Sequence, residues 1–89
     1  MILDLSEVRR IAEDVARAED PALELIAAMA SGGGSAYIEL TLRIHGDGDE
    51  PSRVVVVGAD RSGGEGPLRR SIAHELRRRL RRIGLGVVR

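Results

Sequence analysis

The segment Tyr37-Ile-Glu-Leu-Thr-Leu-Arg-Ile-His45 alternates without a break between apolar and polar residues. Successive side chains of an extended strand point to opposite faces, so Ile38, Leu40, Leu42 and Ile44 share one face. Tyr37, Glu39, Thr41, Arg43 and His45 share the other. The pattern predicts a half-buried strand with one wet face, which needs other elements packed on its apolar side.

The flanking sequence supplies candidates for that layer. Asp4 followed by Glu7 matches the acidic variant of a capping box. After it, Leu5, Val8, Ile11, Ala12, Val15 and Ala16 fall within one arc at about 100° per residue. Arg9–Glu13, Arg10–Asp14 and Glu13–Arg17 stand at ion-pair spacing on the other side. The reading is a helix over residues 5–18. Asp20-Pro21 reads as a second N-cap with proline at the first helical position. Ala22–Ala30, with Glu24 as its one charge, reads as a second helix that is mostly buried. Ser31–Ser35 has the composition of a flexible linker.

Beyond the alternating strand, Gly46–Ser52 is a polar turn and Arg53–Gly58 a second strand. Four consecutive valines, Val54–Val57, have no polar face, which places this strand at the centre of the sheet. Leu68, Ile72, Ala73, Leu76, Leu80 and Ile83 then form one stripe of a helix over residues 67–83. Gly84 reads as its C-cap and Leu85–Arg89 as a last short strand, parallel to its neighbour through a right-handed crossover. The expected fold is an α/β (α+β) two-layer sandwich in the order α-α-β-β-α-β. Helices pack on a small mixed three-stranded sheet with Val54–Val57 in its central strand. At 89 residues the chain is one domain, 1–89.

Composition excludes several chemistries. Without cysteine there are no disulfides, thiolate metal ligands or thiol nucleophiles. The start MILDLSEVRR lacks the basic and apolar regions of a signal peptide, and no apolar run approaches bilayer length. The expectation is a soluble protein, cytoplasmic if expressed in a cell, with no membrane partner. His45 and His74 have no second histidine at metal spacing, and no serine sits in a nucleophile elbow. Asp47, Asp49 and Glu50 make a turn far shorter than a calcium loop. No catalytic residue, metal site or cofactor is expected.

Val54–Pro67 runs from an apolar strand through a glycine-rich loop into a helix. Gly58-Ala-Asp-Arg-Ser-Gly63 resembles the phosphate loop of P-loop GTPases in its glycine spacing. Where that family places Lys and Ser or Thr, this chain has Gly64 and Glu65. A carboxylate there repels phosphate, and Pro67 is expected to delay the helix start. What survives is a weak anion-binding turn at Arg61 and Ser62.

All fourteen positive charges are Arg, and their distribution is lopsided. Residues 67–89 hold eight Arg and one Glu, net +7, and residues 1–66 hold six Arg and thirteen acids, net −7. Blocks of this kind signal an intramolecular match, a nucleic-acid face or an acidic partner. On the last helix Arg70, Arg77, Arg78, Arg81 and Arg82 fill the polar arc with His74, while Arg69 and Arg79 must snorkel from the apolar arc. The arc suits phosphate. Without interleaved aromatics it offers no base stacking, and without Asn or Gln the chain lacks the usual adenine readers.

Lys, Asn, Gln, Phe, Trp and Cys never appear. In this restricted alphabet, its capped helices and its clean binary pattern, the chain resembles computationally designed small α/β proteins. That resemblance implies a scaffold without an evolved activity and transfers no functional residue. The long glycine loops depart from it and keep a natural domain from a GC-rich bacterium in view. Two further readings stand beside the scaffold. One is a module that binds nucleic acid or an acidic protein through the Arg helix. The other is a homodimer through the open sheet face around Tyr37 and Thr41, where an uncovered apolar patch invites self-association.

Overall fold

A computed structural model describes residues 2–30, 36–46 and 48–82. Its elements are α1 (Leu5–Glu19), β1 (Leu23–Ala30), β2 (Tyr37–Ile44), β3 (Arg53–Asp60) and α2 (Glu65–Arg82). The start of α1 follows its capping signal: Asp4 Oδ1 accepts from the Glu7 N–H at 2.9 Å. Its apolar arc, Val8, Ile11, Ala12, Val15 and Ala16, is buried.

Ala22–Ala30 is not a helix. Asp20 caps the C-terminus of α1, its N–H donating to the Ala16 carbonyl at 2.9 Å. Its side chain accepts from the Ala22 N–H at 2.9 Å, and its carbonyl accepts from the Leu23 N–H at 3.0 Å. Asp-Pro is thus the opening of a tight turn, with Pro21 at the position its fixed φ suits. The turn leads into β1, where Leu23 and Leu25 are buried and Glu24 and Ile26 are exposed. The register with β2 shifts between Leu25 and Ala27, so Ile26 is the extra residue of a β-bulge. Past it Ala28 and Ala30 turn towards the core and Met29 outwards. One inserted residue breaks the two-residue period, which made this segment look apolar all round.

The sheet is an antiparallel meander in the order β1-β2-β3. The central strand is therefore the alternating β2, and the valine strand β3 is at the edge of the described sheet. Val55 and Val57 point to the core, whereas Val54 and Val56 are exposed. An unbroken apolar run normally means cover on both faces; here, among the described residues, one face is bare and the outward valines Val54 and Val56 are exposed. Two successive hairpin connections also make the described sheet antiparallel throughout, where a mixed sheet was expected. The order is α-β-β-β-α in place of α-α-β-β-α-β. The expected last strand at Leu85–Arg89, the Gly84 cap and the Ser31–Ser35 linker lie outside the described residues.

The second helix starts at Glu65, before Pro67. Proline in the first turn removes only an N–H that has no partner within the helix, so it does not delay the start. Gly64, at φ 89°, turns the chain into the helix, and its carbonyl accepts from the Leu68 N–H at 3.2 Å. Both helices lie on the same side of the sheet, α1 against β1, α2 against β3 and each against the other. Their stripes meet Ile38, Leu40, Leu42, Ile44, Val55 and Val57 in one core. The architecture is two layers, with the second face of the sheet left open among the described residues.

Candidate interaction surfaces

The open face follows from the register. Glu24 lies beside Arg43 and Arg43 beside Val54. One step along, Ala27 lies beside Thr41 and Thr41 beside Val56. The next level holds Met29, Glu39 and Gly58. Large apolar side chains stand out from it: Val54 is 61 % exposed, Met29 63 %, Tyr37 48 %, Val56 43 % and Ile26 39 %. Isolated apolar residues on a surface are ordinary, but here Ile26 and Met29 on β1 and Val54 and Val56 on β3 flank Tyr37, Glu39, Thr41 and Arg43 of β2 on one uncovered face, which makes that face a candidate interaction surface.

Tyr37 shapes one end of this patch. A Cβ at Gly58 would lie 2.8 Å from Tyr37 Cζ, closer than any contact allows. The hydroxyl end of the phenol lies over the glycine, which explains a glycine after four valines in this strand. At the other end Glu24 Oε1 is 2.8 Å from His45 Nε2 and 3.8 Å from Arg43 Nη1. Ile26 and Met29 were hidden from the sequence reading by the helical assignment of their segment. Leu-Glu-Leu at 23–25 is the one strand-like alternation in the segment, and the bulge that follows takes Ile26 and Met29 out of its period.

The second candidate surface is the Arg face of α2, and here part of the lopsided charge is matched within the fold. Arg77 forks onto Glu19 with contacts of 2.9–3.1 Å. Arg69 reaches Glu65 at 2.8 Å and Asp14 at 3.3 Å, while Arg10 reaches Glu7 at 3.1 Å and Glu65 at 3.5 Å. Arg10 and Asp14 meet the start of α2, and Glu19 meets Arg77 further along, so the helices run in the same direction. Their dipoles then repel side by side, and the acidic α1 against the basic α2 offsets this.

These contacts move the titrations. Its hydrogen bond from Arg69 holds the Glu65 carboxyl below its ordinary 4.5, and the same bond raises Arg69. Glu19 raises Arg77 through a hydrogen bond first and charge second. Arg78 donates to Glu75 at 2.9 Å and lowers that carboxyl. Arg70 and Arg81 are exposed without an ion-pair partner among the described residues. For Arg82 the described structure covers the backbone alone. Arg79 Nε is buried without a hydrogen bond among the described residues.

At the glycine loop the donors point inwards. Arg61 is 6 % exposed, and its Nη1 donates to the Leu3 carbonyl at 3.1 Å. Ser62 gives both its N–H and its Oγ–H to Asp60 Oδ1, at 2.7 and 2.5 Å, and this lowers the Asp60 carboxyl. The protein's own carboxylate sits where an anion would dock.

Compared with family models, with curated proteins and with solved structures, the chain matches none. The molecule's geometry must therefore carry the functional reading. Among the described residues no group of three or more His, Asp or Glu could hold a metal ion, and no helix is long and apolar enough to cross a membrane. A surface hollow of about 200 Å³ between α1 and β1 is lined by Glu13, Ala16, Arg17, Leu23, Glu24 and Leu25. It brings together no nucleophile and base.

Proposed function

We propose that this chain is a non-catalytic association domain that pairs with a second copy of itself through the open face of its sheet. The observation that carries the reading is the cluster of Ile26, Met29, Tyr37, Val54 and Val56, exposed on one face that neither helix covers. Burying such a patch returns roughly 25 cal/mol per Å² of apolar surface. A sheet covered by helices on one side reaches a closed arrangement by stacking its other side on a like sheet. Lack of an evolved reaction, as the resemblance to designed proteins implies, is compatible with this reading.

Sedimentation equilibrium from about 5 µM to about 1 mM tests it, a range that spans micromolar to millimolar dissociation constants. Mass should rise towards the dimer, and Val54→Thr with Val56→Thr should weaken the rise at least about tenfold, since threonine keeps the β-branch but loses the apolar contact. One monomer mass over the whole range overturns the reading.

A second reading rests on Arg70, His74 and Arg81, which are exposed and lie along one stripe of α2. This remnant of the basic face would take a phosphate backbone or an acidic protein segment. It ranks second because Arg69, Arg77 and Arg78 already have carboxylate partners within the chain. A salt-sensitive shift of labelled RNA at about 50 mM salt, lost on Arg70→Glu with Arg81→Glu, supports it, and no shift removes it.

A further inference from the structure

If the open face pairs with its own copy, two face-to-face arrangements about a two-fold axis are available, and the charges on β2 separate them. On that strand Glu39 and Arg43 stand two residues to either side of Thr41, both on the open face. We infer that two copies stack about a two-fold axis that runs across the strands at Thr41, so that Arg43 of each meets Glu39 of the other. The inference rests on the association reading and specifies the partner surface.

An axis across the strands reverses their direction while keeping β2 over β2 and β3 over β3. It brings the Arg43 level of one copy over the Glu39 level of the other, forming two ion pairs of opposite sign. An axis along the strands stacks Arg43 on Arg43 and Glu39 on Glu39, and like charges facing each other in an interface are strongly unfavourable. Only the first arrangement is self-complementary, as an isologous contact requires.

The apolar residues of β3, with Tyr37, fit the same operation, while on β1 it sets Met29 of one copy over Glu24 of the other. Val54 lies at the Arg43 level and Gly58 at the Glu39 level of β3. Reversal therefore sets each Val54 over the Tyr37 ring that covers Gly58 in the other copy. Val56, level with Thr41, meets its own counterpart. Arg43 can turn to a new partner without stranding Glu24, because Arg43 is held only at 3.8 Å while His45 keeps Glu24 at 2.8 Å.

Size sets the strength. Three strands of eight residues project to about 27 Å by about 15 Å, on the order of 400 Å² per copy. A standard stable interface buries about 800 Å² per partner. Pairing is therefore reversible, and a central ion pair supplies orientation more than affinity.

Charge exchange tests the geometry by sedimentation, with thermal melting to confirm that each variant is folded. Arg43→Glu and Glu39→Arg each convert two attractive contacts into two repulsive ones and should weaken pairing at least about tenfold. The double variant Glu39→Arg with Arg43→Glu exchanges the two charges and should restore pairing to within about threefold of the original chain. Folded single variants that pair like the original chain overturn the two-fold geometry and leave the association reading standing. A loss that the double variant does not recover also overturns the geometry. A monomer mass for the original chain at every concentration overturns the association reading itself.

Discussion

Arg61 and Leu3 hold each other across 58 positions of sequence: the guanidinium donates to the Leu3 carbonyl at 3.1 Å, and the Leu3 N–H donates to the Arg61 carbonyl at 3.3 Å. The Arg61 N–H also donates to the Ala36 carbonyl at 2.9 Å. One residue thus ties the segment before α1, the start of β2 and the loop after β3. A cation this buried needs acceptors, and the Leu3 carbonyl is one of them. Its part in this structure is to fasten the chain.

Arg61→Met keeps most of the apolar stem and deletes the donors, so the Leu3 carbonyl loses its partner. The expected cost is about 1–3 kcal/mol, the range for leaving a buried polar group unsatisfied. Urea denaturation measures it. An unchanged midpoint would show that the clasp adds nothing to stability.

Gly58 and Tyr37 give a coupled pair. A methyl group at Gly58 overlaps the outer end of the phenol, so Gly58→Ala displaces the half-exposed ring and should cost about 0.2–1 kcal/mol, the range of one cross-strand side-chain contact. With Tyr37→Ala already in place the same change should cost far less. A double-mutant cycle reads the difference directly. Equal costs in both backgrounds would mean that the backbone, and not the ring, requires glycine.

The alternation of β2 and the capped stripe of α1 are periodic patterns that neighbouring packing reinforces, and both form where expected. β1 was not legible because the bulge at Ile26 shifts its inward set from Leu23 and Leu25 to Ala28 and Ala30. Alanine favours neither face, and it favours helix in isolation. The position of β3 was misjudged because composition cannot tell a strand covered on both faces from one with an uncovered apolar face. Opposite charge blocks left an internal match, a nucleic-acid face and an acidic partner all open, and only packing decides that Glu19 receives Arg77 and Asp14 receives Arg69. The Arg61 clasp joins groups far apart in sequence, and no local pattern encodes it.

The carboxylates that face arginines link stability to pH. Glu65, Glu75 and Asp60 all lie below their ordinary values, through hydrogen bonds from Arg69, Arg78 and Ser62 respectively. A carboxyl lowered in the folded state adds stability above its unfolded value, and that stability is lost as pH falls through the folded value. With ordinary values of 4.5 for Glu and 3.8 for Asp, the loss begins as pH drops through that range and continues below it. The urea midpoint should therefore fall steadily with acidification over this window. Glu65→Gln should flatten the slope. A midpoint that does not change through the window would show that these exposed contacts contribute nothing.

Arg77 and Arg81 should respond differently although both are exposed on α2. Arg77 holds the half-buried Glu19 from two nitrogens, so Arg77→Glu removes a cross-helix tie and sets two carboxylates face to face. It should lower the melting temperature. Arg81 has no ion-pair partner among the described residues, and Arg81→Glu should leave the melting temperature within about 2–4 °C, the range of a neutral surface change. Salt separates the causes further: the penalty of Arg77→Glu should shrink at about 1 M salt, where screening falls to about 3 Å. Equal melting shifts for the two variants would show that the charge of the helix as a whole, and not the Glu19 contact, is what stabilises the pair of helices.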